Sequence, residues 1–445
     1  MNPFLRDLHI YREDAMTYLT RRATLAGIGC LAAPAVASAA NAKLTIPFFF
    51  PIAVSGPVTR IIDGYARDFE KAHPDIRIKP VYAGSYDDTI AKALTAFKSG
   101  HPPPLAMLGA IQVFTLIDQD AIIPFDSLAN STEDKAWMAG FFPAFLANGN
   151  VDGHTWSIPF QRSTAVLYWN KDAFKQAGLD PEKPPANWTE QTAMGKKLVA
   201  RSGGTVSRWG VQIPATGGTY WLYQALAIEA GQQLMNPAGT ETYFDRPGAV
   251  AALDYWVALA RDGVSPKGVI DWAATPNDFI AGRTAMMWTT TGNLTYVRDR
   301  AKFPFGVAML PADKQRGTPT GGANFHIFKT ASKAEQQAAL LFTRWATAPE
   351  RCAAWSIATG YVATRPDAWK TKTMTDYAAK FPPAAVARDQ LKYALPELST
   401  HANQQVTLPL NSALQAALAG AKSPKAALAE AQATAARVLM PYRKA

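Results

Sequence analysis

Cysteine is nearly absent. Cys30 and Cys352 are the two in 445 residues, too few for a disulfide framework or a four-cysteine zinc site. Histidine is scarce as well: His9, His73, His101, His154, His326 and His401 lie far apart, so no pair has the spacing of a helical metal motif. No G-x-S-x-G elbow and no P-loop lysine occur. Asp87-Asp88 reads as helix N-terminal charge rather than an acid and base couple. These absences favour a protein without metal, cofactor or covalent chemistry, although a hydrolase with a triad assembled only in space stays open. Long runs of basic residues are missing too. Net charge is +10, but Lys and Arg are scattered in isolated pairs such as Lys196-Lys197, the pattern of a solvated surface and not of a nucleic-acid binder.

The one long apolar run, Ala23 to Ala40, is interrupted by Gly27, Gly29 and Pro34 and falls short of the roughly 20 residues that span a bilayer. It follows the twin arginines Arg21-Arg22 and ends at Ala40-Asn41-Ala42, small residues at a cleavage spacing. Residues 1–42 therefore read as an export signal of the twin-arginine type, with the mature chain beginning near Lys43 in the periplasm and keeping one thiol, Cys352. The full chain is 48% hydrophobic, and the part after the signal is too long for one core, since single cores stop growing at about 250 to 300 residues.

Short apolar strands alternate with amphipathic helices. Leu44 to Phe50 and Ile76 to Tyr82 read as strands, as does Leu105 to Leu108 after the prolines at 102–104. Val58 to Ala72 carries Ile61, Ile62, Tyr65, Ala66 and Phe69 at helical spacing, and Asp87 to Ser99 places Ile90, Leu94 and Phe97 on one face. That order predicts an α/β fold with parallel strands joined by helices.

The most distinctive text is IPFQRSTAVLYWNKDAF at 158–174, continuing to AGLDP at 177–181 and WTE at 188–190. It resembles the extracellular solute-binding proteins of ABC importers, in the carbohydrate and glycerophosphate branch. Further matches lie at 45–48, 69–74, 82–86, 282–286, 305–307, 321–323 and 359–361, in an order most like the glycerol 3-phosphate binding subfamily. The resemblance implies a two-lobe α/β fold with several crossovers and a ligand cleft between the lobes. It places residues 43–153 and 303–359 in one lobe and 154–302 and 360–445 in the other. It also implies a small-molecule ligand, an ABC permease in the inner membrane as partner, and a monomer.

Site residues follow from the same resemblance. Tyr86, Ser163 and Tyr361 match ligand-contacting residues of the glycerophosphate binders; Thr290 or Thr291 falls where that group has a serine, and Gly321 and Gly322 match glycines that face phosphate oxygens. A lone Gly-Gly pair can equally be a turn, and a tyrosine is ordinarily a core residue. Tyr220, Trp221 and Trp288 add aromatic surface suited to a sugar ring or a quaternary ammonium group, although with 12 tryptophans in the chain core packing is the ordinary place for any one. Two positions depart from the pattern. Ala110 stands where the subfamily has a glutamate for glycerol hydroxyls, and residues 393–421 contain no lysine or arginine where it has an arginine for phosphate. Arg162 is either the replacement cation, able to hold an anion with two bonds, or a surface arginine turned away from Ser163 by strand alternation. A glycerol 3-phosphate or glycerophosphodiester ligand is expected, with a neutral sugar or polyol as the alternative.

Overall fold

The computed structural model describes residues 43–443; the export segment read at 1–42, with Cys30, lies outside them. The chain opens on strand β1 (Leu44–Phe50), helix α1 (Val58–Ala72), strand β2 (Ile76–Tyr82), helix α2 (Tyr86–Lys98) and strand β3 (Leu105–Gly109). α1 turns Val58, Ile62, Ala66 and Phe69 inward, the i, i+4, i+8, i+11 stripe that a helix lying on a sheet needs. α2 begins with a capping box: the Ser85 side chain accepts from the Asp88 amide at 3.2 Å while the Asp88 carboxylate accepts from the Ser85 amide at 2.9 Å. β3 is buried along its whole length, as a central strand covered on both faces must be.

β2 and β3 pair with β1 in parallel, as the alternation of strands and helices predicts. The rest of the sheet is mixed. Two long strands, Ile158–Asn170 and Thr318–Phe328, pair antiparallel with each other, and the second also pairs antiparallel with β3. Across the sheet the order is Ile76–Tyr82, Leu44–Phe50, Leu105–Gly109, Thr318–Phe328, Ile158–Asn170, Thr284–Thr290, Thr205–Gln212 and Ala200–Ser202. The two long strands run from one hydrophobic core to the other. Ile46, Phe48, Phe69, Ile158, Phe325, Phe342 and Trp355 share the first core, while Leu167, Trp169, Trp221, Leu226, Trp288, Leu253 and Leu410 share the second. Strand Phe305–Ala308, expected with the first lobe, pairs instead with Leu167–Asn170. The chain returns to the first core only along Thr318–Phe328.

Cys352 is free and buried, with burial pushing its thiol up to about 11, so at neutral pH it is an inert core residue. Among the described residues no helix is long and apolar enough to cross a membrane, and none of their His, Cys, Asp and Glu side chains cluster in threes as a metal site requires.

Candidate functional site

The two long strands carry the floor of a cleft between the two cores. Their register sets Gly321 opposite Ser163 and Gly322 opposite Arg162, followed by a bulge at Ala323/Asn324. Both glycines are required by close approach. A Cβ on Gly321 would stand 2.7 Å from the Trp221 indole, and Gly322 has φ +107 with the Gln161 carbonyl oxygen where a Cβ would sit. Trp221, on helix Thr219–Glu229, donates its indole N–H to the Thr320 carbonyl at 2.9 Å, which clamps that helix onto the strand beside the glycines.

The remaining walls come from element ends. Tyr86 is the first residue of α2, placed by the Ser85 cap, and its hydroxyl accepts from Gln161 Nε2 at 3.0 Å. Tyr361 follows the helix Pro349–Thr359 and the left-handed Gly360, and its ring stacks on Trp355 at 6.1 Å. Burial pushes the phenols of Tyr86 and Tyr361 above their ordinary range, so both act as neutral hydrogen-bonding groups. Thr290 ends its strand and accepts from the Gly292 amide at 3.0 Å.

Together these residues surround one small pocket with Ala53, Val54, Gly217, Gly218, Trp272 and Glu397. Of the eleven expected site residues, Tyr86, Ser163, Tyr220, Trp221, Thr290, Gly321, Gly322 and Tyr361 line it. Trp288, Thr291 and Arg162 do not. Trp288 is fully buried in the second core and donates to Gln191 Oε1 at 2.8 Å, because its strand is covered on both faces and only the strand end reaches the cleft. Thr291 lies one residue past that end, buried in a short turn. Arg162 is neither exposed nor at the cleft surface: it is fully buried behind the wall, donating Nη2 to Thr320 Oγ1 at 2.9 Å and Nη1 to the Gly322 carbonyl at 3.3 Å, over the Phe145 ring.

Two lining residues carry no sequence signal as binders. Glu397 sits in the segment noted only for lacking lysine and arginine. Its Oε1 accepts from the Tyr220 hydroxyl at 2.7 Å, and Asn148 holds its backbone from both sides at 2.9 and 3.0 Å. Asn148 also accepts from Thr320 Oγ1 at 3.3 Å, so Arg162, Thr320, Asn148 and Glu397 form one buried polar chain. Desolvation pushes the Glu397 carboxyl up to about 7 even though Arg162 and Tyr220 pull it down, and desolvation brings Arg162 down to about 10. The charges of this pair set the polarity of the site. Glu397 faces the cleft; the cation is behind it.

This arrangement has a pH consequence. The folded Glu397 binds a proton that its unfolded counterpart releases between pH 4.5 and about 7, so its contribution to unfolding free energy falls by about 3 kcal/mol as pH rises through that window. Buried His326, pushed down to about 3, works in the opposite sense, losing stability as pH falls below 6.5. The difference between two proteins isolates Glu397: in urea titrations of the ligand-free protein, Glu397→Gln should gain stability relative to the parent between pH 5 and pH 8. Parallel pH curves would show that the carboxyl is not held in its neutral form.

Trp272, the second unsignalled residue, spans the mouth. It follows a segment anchored to the second core through the Ala215 amide, which donates to the Ile270 carbonyl at 2.8 Å, and its own indole N–H donates to the Ala53 carbonyl just after β1 at 3.0 Å. Its ring meets Trp221 edge-on at 6.1 Å. This bond ties the segment after β1 to the segment that carries Trp272. Trp272→Phe keeps a ring and loses the donor, worth about 1 kcal/mol, so affinity should weaken roughly fivefold and the ligand-free protein should show a larger scattering radius. Identical radii and affinities would place the bond outside the closure equilibrium.

Residues 64–383 match the family of bacterial extracellular solute-binding proteins. The chain is 29% identical over 425 residues to the sn-glycerol-3-phosphate-binding periplasmic protein UgpB of Salmonella typhimurium, covering 91% of this chain and 95% of that one. It is 27% identical over 418 residues to the UgpB of Pectobacterium atrosepticum, covering 90% and 92%. Among solved structures, UgpB of Mycobacterium tuberculosis in complex with glycerophosphocholine aligns with a TM-score of 0.77 at 23% identity, covering 89% of this chain and 98% of that one. The cyclic alpha-maltosyl-1,6-maltose binding protein of Arthrobacter globiformis aligns at 0.75 and 22%, covering 90% and 100%. These structures establish the two-lobe fold. With its crossover strands, interlobe cleft and family match across most of its length, the chain belongs to the bacterial extracellular solute-binding proteins, the periplasmic ligand carriers of ABC importers.

Proposed function

We propose that this protein captures a glycerol 3-phosphate or glycerophosphodiester ligand and, as a monomer, presents it to an ABC permease without altering it covalently. The observation that carries the reading is the convergence of Tyr86, Ser163, Thr290, Gly321, Gly322 and Tyr361, gathered from five separate segments, around one pocket. Hydroxyl and backbone groups at Ser163, Thr290 and the glycines suit phosphate oxygens, and the sequence relatives are named as glycerol-3-phosphate binders. The phosphate charge is met by hydrogen bonds rather than by a contacting cation, since neither Lys nor Arg lines the pocket; a diester, with one negative charge, suits such a site better than a dianion. Export through a twin-arginine signal at residues 1–42 completes the proposal.

One observation favours a second reading. Trp221 and Trp272 offer ring surface in a pocket without a basic side chain, which also suits a neutral sugar. Native mass spectrometry of protein purified from its own periplasm separates the two: a co-purified glycerophosphodiester of intact mass supports the proposal. A co-purified oligosaccharide, or a ligand hydrolysed during incubation, rejects it.

A further inference from the structure

The pocket holds one carboxyl and no cation. Among the described residues Glu397 is the only Asp or Glu that lines it, and no Lys or Arg does. The Glu397 side chain is poorly compensated for a charge: Oε1 accepts from the Tyr220 hydroxyl at 2.7 Å, and Oε2 has no partner. Arg162 is joined to it only indirectly. Its Nη2 donates to Thr320 Oγ1, that hydroxyl donates to Asn148, and Asn148 meets the Glu397 backbone rather than its carboxyl. The other titratable groups around Glu397 add no positive charge at the pocket. Tyr86, Tyr220 and Tyr361 are phenols that burial keeps neutral. Asp87, in the first turn of α2, lines the adjoining hollow that Glu397 also reaches, and His401, later in the Glu397 segment, is turned to Asp118 at 2.9 Å.

A phosphodiester entering this pocket displaces water and sets a second negative charge beside the carboxyl. Two like charges about 6 Å apart, at the effective dielectric that describes protein sites, repel by the equivalent of about a hundredfold in affinity. With no contacting cation to absorb that repulsion, the pair is relieved most simply by a proton, as when two carboxylates share one site. We propose that Glu397 couples ligand capture to protonation: an anionic ligand is held with Glu397 in its neutral form, so that binding above neutral pH takes one proton from solution. This rests on the phosphodiester reading of the pocket. In the ligand-free protein desolvation already carries the carboxyl up to about 7, and the ligand's charge raises it further. By linkage, affinity then falls as pH rises between the free and the liganded value, by up to about tenfold per pH unit. A neutral sugar imposes no such condition.

Calorimetry at pH 6 to pH 9 with glycerophosphoglycerol and glycerophosphocholine, whose phosphodiester does not titrate in that range, tests the coupling. Both should bind at least about tenfold more tightly at pH 6 than at pH 9, and at pH 8, in buffers of different ionisation enthalpy, the uptake should approach one proton per ligand. Glu397→Gln should bind with one affinity across the range, whatever its level, and take up no proton. Tyr220→Phe removes the donor that pulls the carboxyl down, so its affinity should begin to fall at higher pH than the parent's. Asp87→Asn should keep the parent's fall. Constant affinity without proton uptake overturns the coupling and leaves the phosphodiester reading standing. A fall that persists in Glu397→Gln assigns the proton to another group and overturns it as well. If Glu397→Gln does not fold, Tyr220→Phe decides, and an unmoved profile overturns the proposal. If neither diester binds at pH 6, the glycerophosphodiester reading falls and the coupling with it.

Discussion

Arg162→Ala should destabilise the protein by about 3 to 5 kcal/mol and weaken anionic and neutral ligands together. The guanidinium is fully buried and donates to Thr320 Oγ1 and the Gly322 carbonyl, so its removal strips donors from two groups that shape the cleft floor. Glu397 would also lose the one cation that pulls its carboxyl down. Leaving those buried acceptors without donors costs about 1 to 3 kcal/mol each, and the cavity left by the side chain adds to it. A residue gripping the ligand's anion directly would behave differently, selectively losing phosphorylated ligands at little cost in stability. Urea unfolding of Arg162→Ala, Glu397→Gln and the double variant decides between the two. The double variant should recover part of the loss, with a coupling above about 1 kcal/mol. Additive losses would mean that Arg162 and Glu397 do not act as a unit.

Gly322→Ala should cost more than about 3 kcal/mol, a large effect for one methyl group. With φ +107 the backbone lies where L side chains carry strain of about 1 to 3 kcal/mol. The new Cβ would also overlap the Gln161 carbonyl oxygen on the partner strand, a backbone atom that cannot turn aside. Relief requires the two crossover strands to separate where Ser163 and Gly321 face each other, so affinity should collapse along with stability. Urea unfolding and ligand titration measure both. A stable Gly322→Ala variant with parental affinity would show that the strand pair is more pliable than its register implies.

Much of the first lobe is legible in the sequence because its elements obey simple periodicities. Leu44–Phe50, Val58–Ala72 and Ile76–Tyr82 fall where their apolar patterns place them, and α2 starts one residue earlier than expected because the Ser85 cap admits Tyr86 as its first residue. The antiparallel crossover strands were not legible. Their residues are buried on both faces, so the runs show no alternation from which pairing direction or partner could be read.

At the site, glycine context separated well from aromatic content. Gly321, Gly322 and the Gly360-Tyr361 step lie at the cleft because backbone approach demands glycine there, whereas Trp288 is indistinguishable in sequence from Trp221, and only packing sends one inward and the other to the ligand space. Arg162 obeys strand alternation relative to Ser163, but the far side of that strand is a buried polar layer, not solvent. Glu397 was not legible: a lone acid between Pro396 and Leu398 belongs to no motif or periodic pattern.

Under the proposed function, the cleft of Ser163, Gly321, Gly322 and Tyr361 holds a glycerophosphodiester and releases it intact. Calorimetric titration of the ligand-free protein with glycerophosphoethanolamine and with a maltose-type disaccharide tests it most directly. Saturable one-to-one binding of the intact diester is expected, with no heat of binding from the disaccharide. Saturable binding of the disaccharide with none of the diester would contradict it.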